Sequence, residues 1–142
     1  MVPLSHGRYA ALRLKPGEDP VAALRALQVQ TGAQAMALVT CVGSLTRAVI
    51  RHANRPEGTV YRGHYEITSL VGTIDPVAEH LHLTITDGEG RAFGGHLLPG
   101  STVYTTAEIV VVLLEELSFA RAPCPYSGYD ELVVNTVATE TP

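Results

Sequence analysis

The sequence predicts an α+β fold: a largely antiparallel, mixed sheet with one or two helices packed against it, closing as one domain over residues 1–142. Three observations predict it. Segments with strand character outnumber helical ones, several neighbouring strands are separated by turn-sized gaps, and only one window carries a full set of helix signals. A composition that is 46% hydrophobic and 17% charged supplies one core of ordinary size.

Taken in order, "RYAALRL" (8–14) alternates as a half-buried strand does, and then the period changes. Asp19 suits a helix N-cap and Pro20 the first helical position. Val21, Leu24 and Leu27 form an apolar stripe, and Gly32 offers a left-handed stop, so a helix is predicted over 19–31. "AMALVTCV" and "SLTRAVIRHA" read as two strands, with a turn supplied by Gly43. "YRGHYEITSLVGTI" (61–74) is a long strand with a bulge or bend at Gly63. "HLHLTIT" and "RAFGGHLL" flank "DGEG" and predict a hairpin. In "TTAEIVVVLLEEL" the β-branched centre favours a buried strand over a helix. "SFARAP" and "DELVVNTV", separated by the turn-rich "PCPYSGYD", complete the series.

The formal net charge is −4, and protonating all six histidines would give −4 + 6 = +2, a poor balance for neutralising many phosphates. The charge is nonetheless uneven. Residues 1–62 hold eight Lys and Arg against three Asp and Glu, whereas residues 63–142 hold two against eleven. No apolar run reaches membrane-spanning length and "MVPLSHGRYA" does not read as a signal peptide, so the expectation is a cytoplasmic chain without a membrane partner. Cys41 and Cys124 have no zinc-type or CxxC spacing and are expected to be free thiols without a catalytic role.

The stretch "EHLHLTITDGEGRAFGGHLLPG" (79–100) holds three of the six histidines. His80 and His82 are two apart and share a strand face. A three-residue turn of Gly88, Glu89 and Gly90 pairs Asp87 with Arg91, sets His82 opposite His96 and leaves His80 diagonal to it. A two-residue loop would instead turn His96 to the other face. Two readings follow. Three imidazoles on one side are a donor set for a divalent transition metal, zinc among them, with one position left for water. Alternatively, the histidines are the polar face of a half-exposed strand. Glu79, Glu66 and Glu108 are the carboxylates that could orient a ligand, add one, or act as a base. Gly94 and Gly95 accommodate either a close backbone approach or a bulge.

Arg47 and Arg51 share strand parity, with Arg55 and Arg62 in or after the following loop, so the four could grip an anion or form a solvated face. No Walker loop, dinucleotide fingerprint or GxSxG elbow occurs, and Ser101, Thr105 and Thr106 have no base nearby in sequence.

The ordered series "GEDPVAALRAL", "CVGSLTRAV", "GHYEITSLVGTI", "HLHLTITDGEGRAFGGHLLPG", "VYTTAEIVV" and "GYDELVV" resembles the plant and prokaryote conserved (PPC) domain over nearly the whole chain. That resemblance implies a largely antiparallel sheet and a homotrimer. It also implies a single-domain protein of the kind usually described as a candidate DNA-binding protein with a PD1-like motif. Plant relatives carry separate AT-hook segments, but no Arg-Gly-Arg core occurs here, and Gly63-His64-Tyr65-Glu66-Ile67 has His64 where the plant pattern has Arg. The histidine pattern of prokaryotic relatives, metal-bearing in some, carries over to His80, His82 and His96. Two functions from different classes are therefore expected. One is a trimeric DNA-binding or regulatory module with a three-histidine metal site. The other is a metal-dependent small-molecule enzyme or metabolite-binding protein, in which a metal near a subunit cleft takes a small anionic ligand.

Overall fold

The computed structural model describes residues 1–137. β1 (Gly7–Leu14) is followed by α1 (Pro20–Thr31), β2 (Met36–Arg51), β3 (Thr59–Ile74), β4 (Glu79–Thr86), β5 (Ala92–Leu97), β6 (Thr102–Leu114), β7 (Leu117–Pro123) and β8 (Asp130–Thr136). The main sheet runs β1-β6-β2-β3-β4-β5, and β7 pairs with β8 in a separate hairpin. All strand pairings among the described residues are antiparallel, which corrects the mixed sheet expected above. β1 and β2 run in the same direction and are joined through α1, but β6 lies between them and pairs antiparallel with each, so this crossover produces no parallel pair.

One helix forms. Asp19 caps it by accepting from Val21 N, Pro20 opens it, and Gly32 ends it at φ 67° with its amide on Gln28 O. The other carboxylate oxygen of Asp19 accepts from Gly100 N at 2.7 Å, so one side chain ties the helix to the corner between β5 and β6. Asp19→Ala is expected to cost about 1–2 kcal/mol, read as a lowered denaturant midpoint. An unchanged midpoint would mean that neither contact matters.

Gly43 does not make a turn. β2 continues through it as one 16-residue strand, because β3 and β6 flank it on both sides and hold the backbone extended. The glycine serves close approach instead: a Cβ at Gly43 would lie 2.1 Å from Thr106 O. The expected irregularity at Gly63 is present. Between the pairs Leu45/Tyr65 and Arg47/Arg62, β3 advances one residue more than β2.

The far end of β2 organises the rest. Ile50 and Arg51 pair with Leu97 and His96 of β5, so β2, β3, β4 and β5 close into a ring. β5 and β6 follow one another along the same edge of β2, joined by the corner 98–101. There Leu98 N donates to Val49 O, Val49 N to Ser101 Oγ, and the Arg47 guanidinium to Gly100 O. Leu81, Leu83, Ile85, Ile50, Leu97 and Met36 fill the interior, and Val21 and Leu24 of α1 close it. The outer face of β1, β6 and β2 is left uncovered: Tyr9 and Val42 are 71% and 56% exposed, and a cavity of about 460 Å³ opens there beside Arg13, Glu108 and Val110.

Candidate metal centre

The hairpin register decides where the histidines go. Asp87 N donates to Arg91 O and Gly90 N to Asp87 O, closing the three-residue turn, while the Asp87 carboxylate accepts from the amides of Glu89 and Arg91. The Arg91 amide, then the Arg91 guanidinium and the Glu89 amide, hold the Asp87 carboxyl below its usual range against the effect of burial. His82 therefore lies directly opposite His96. Leu81 and Leu83 face inward and are fully buried, which forces His80 and His82 outward together. Gly94 and Gly95 serve close backbone approach: a Cβ at Gly94 would sit 2.0 Å from Leu83 O, and one at Gly95 2.7 Å from Arg51 O. Those contacts press β5 against β4 and β2 and bring His96 to the other two.

One ligand atom from each of the three histidines lies within 4.8 Å of the others. His80 Nε2 and His82 Nε2 are 3.2 Å apart, close to the separation of about 3.3 Å that follows from tetrahedral metal–nitrogen bonds of about 2.0–2.1 Å. Burial lowers the pKa of His80 and His96. The neighbouring imidazole of His82, Arg121 and Arg51 lower His80 further, against Glu131, and Arg51, His80 and His82 lower His96 further. Neutral imidazoles are the ligating form. His96 Nδ1 is buried without a hydrogen-bond partner, an arrangement that costs free energy unless something else satisfies the nitrogen. Donor type, spacing, protonation and this orphan atom all fit a divalent transition metal.

The same shifts predict a pH dependence for the metal-free chain. Folded His80 and His96 hold fewer protons than the unfolded chain just below the ordinary value of 6.5. Their contribution is present above 6.5 and lost as the pH falls through the lowered values. The thermal midpoint should drop on acidification across that window, and drop less in the His80→Gln, His96→Gln double variant. His6, raised by its hydrogen bond to Glu116, acts in the opposite sense and is common to both proteins.

Two clefts border the histidines. One, of about 400 Å³, is lined by Arg51, His80, His96, Arg121, Tyr129 and Glu131, among others. The second, of about 290 Å³, runs past His80, His82, Arg121 and Glu131 to Val71. Arg121 and Glu131 come from the β7–β8 hairpin, far along the chain, and no local spacing signal marks them. Arg121 is held by Asp75, which is fully buried: its Oδ2 accepts from Arg121 Nε at 3.1 Å and its Oδ1 from the amides of Val77 and Ala78.

The remaining candidate residues separate. Glu66 pairs with Thr86 beside the hairpin turn, while His82 pairs with Val71 farther along β3. Glu108 pairs with Arg13 and Val42 on the uncovered outer face. Of the three carboxylates that the sequence singles out, Glu79 alone lines a histidine cleft, and it is engaged with Arg25 at 3.5 Å. The four arginines do not form one grip. Arg47 supports the Gly100 corner, Arg55 lines a cavity in the loop 52–59, Arg62 is exposed opposite Arg47, and Arg51 alone faces the histidines. Cys41 and Cys124 are free, and burial pushes the Cys41 thiol up to about 11, so it is not an activated nucleophile.

The profile of the Plants and Prokaryotes Conserved (PCC) domain matches residues 1–115. The chain belongs to this family. A structure described as a hypothetical protein from Salmonella enterica is 42% identical and superposes with a TM-score of 0.92 over 94% of this chain and 97% of its own. A metal-containing protein from Archaeoglobus fulgidus shares the fold at 24% identity, with a TM-score of 0.75 over 93% of this chain and 99% of that one. This PCC chain is also 41% identical to a segment of the bifunctional protein GlmU of Synechococcus strain JA-3-3Ab. The match takes in 99% of this chain and 23% of that protein, so the chain spans less than a quarter of the curated relative's length.

Proposed function

We propose that this PCC domain is a homotrimeric, metal-dependent ligand-binding or regulatory module, with His80, His82 and His96 holding a divalent transition metal such as zinc. The observation that carries this reading is the convergence of three imidazoles, two of them biased to the neutral form and one with an orphaned buried nitrogen. The description of the Archaeoglobus protein as metal-containing supports it. So does the match within a much longer bifunctional protein, since a segment of this kind can work attached to another activity.

A bound metal would supply a Lewis-acidic position for a water molecule or a small ligand. The chain's own part is to hold the donors: β4 supplies two, β5 the third, and the glycine contacts fix their approach. Arg51 and Arg121 bring positive charge to the mouth of the site and Glu131 brings a carboxylate. The uncovered face of β1, β6 and β2, with Tyr9, Val42 and Val110, is the surface available for self-association. Light scattering should give the mass of three chains, and Val42→Glu should shift it toward one. A monomeric wild type would reject the trimer.

Elemental analysis of protein purified without an affinity tag tests the metal, which should be present at about one equivalent per chain. Duplex DNA is disfavoured by the net charge of −4 and by the separation of Arg47, Arg51, Arg55 and Arg62. A titration with duplex DNA at low salt should show no binding. Saturable binding that weakens steeply with salt would restore the nucleic-acid reading.

A further inference from the structure

We propose that the cleft beside the three histidines receives a small monocarboxylate, held by Arg51 with one end turned toward the metal position. This rests on the three-histidine reading and names the ligand class for that site. Four arginines are half-buried: Arg25, Arg47, Arg51 and Arg121. Arg25 binds backbone carbonyls and Glu79, Arg47 binds Gly100 O, and Arg121 binds Asp75. The Arg51 side chain makes no hydrogen bond or ion pair among the described residues. Its guanidinium nitrogens are not sealed from solvent, so all of its donors are available to a ligand that enters the cleft.

Arg51 lies at the end of β2, its Cα opposite that of His96, and lines the cleft that also contains His80. Its planar fork matches a carboxylate, which it binds through two parallel N–H···O bonds. Arg121 is neutralised by Asp75 and Glu79 by Arg25, which leaves Arg51 as the unpaired cation of a cleft that also holds the carboxylates of Asp130 and Glu131. The wall of Val77 and Ala78 favours an oxyanion with a hydrocarbon end, which a carboxylic acid has and inorganic phosphate lacks. A volume of about 400 Å³ with Val77 and Ala78 on its wall suits a short acid. The residues Arg121, Tyr129, Asp130 and Glu131, which form one wall of this cleft, come from the β7–β8 hairpin, beyond the segment that the family profile matches.

The test uses cobalt(II)-loaded wild type, Arg51→Gln and Arg51→Lys. Cobalt content is read by elemental analysis and binding by the cobalt absorption bands during titration with glycolate or inorganic phosphate. Equal cobalt in all three proteins is expected. Glycolate should shift the bands of the wild type and bind at least about tenfold more weakly to Arg51→Gln, with partial recovery in Arg51→Lys. Full cobalt with unchanged glycolate affinity in Arg51→Gln overturns this proposal and leaves the metal site standing. Phosphate binding as tightly as glycolate overturns the choice of carboxylate. A wild type that takes up no cobalt overturns the three-histidine reading and this proposal together.

Discussion

His96→Ala is expected to leave the chain folded and essentially metal-free, while the wild type carries about one equivalent. His96 is the one member of the triad contributed by β5, and without it two exposed histidines of a single strand remain. Losing a direct ligand should cost more than the roughly 10–100-fold that the loss of a supporting partner costs. Stability should move in a way that a merely structural histidine would not allow. In the metal-free state, His96 Nδ1 is a buried atom without a partner, so His96→Leu should unfold no earlier than the wild type. With metal present the order reverses, because only the wild type gains about 1.4 kcal/mol for each tenfold excess of metal over its dissociation constant. Metal analysis beside calorimetry with and without chelator checks both halves. Equal metal content in wild type, His82→Ala and His96→Ala would reject the assignment.

Asp75→Ala should be among the most damaging single substitutions in the chain, at about 3–5 kcal/mol. The carboxylate is fully buried at the end of β3, and its removal leaves Arg121, whose side chain is only 14% exposed, without a counter-charge. It also orphans the amides of Val77 and Ala78. Against a total stability of about 5–15 kcal/mol for a domain, a loss of that size is a large part of the whole. Asp75→Asn can keep an acceptor for the two amides while losing the charge, so it should fall between the two. Denaturant unfolding measures both, and a loss below about 1 kcal/mol in Asp75→Ala would show that the pair is not structural. A second readout concerns the site: Arg121 no longer held by Asp75 should leave β7 and β8 more open to limited proteolysis, since Arg121 ties that hairpin to the main sheet.

Much of the fold was legible because its signals are local. Asp19, Pro20 and Gly32 bound the helix through contacts within a few residues, and Asp87 with Gly90 sets the register that places His82 opposite His96. Alternation of period two was enough to put His80 and His82 on the face opposite Leu81 and Leu83. Gly43 was misread for the converse reason. Its neighbours in sequence suggested a turn, but its surroundings are β6 and β3, and the glycine is there to let Thr106 O come close. Glu66 and Glu108 were candidates by proximity along the chain, and the strand pairings carry them to the hairpin turn and the outer face.

What the sequence determined by itself is the triad and the element that presents it, since a strand's two-residue repeat and a tight turn are properties of short stretches of backbone. Only the tertiary structure decided the triad's surroundings. The closure of β2 on β5 brings Arg51 to His96, and the Asp75–Arg121 pair brings Glu131 to His80 across some fifty residues of chain. Such partners leave no spacing signal, because which charges meet across a closed sheet depends on register, bulges and buried ion pairs accumulated over the whole domain.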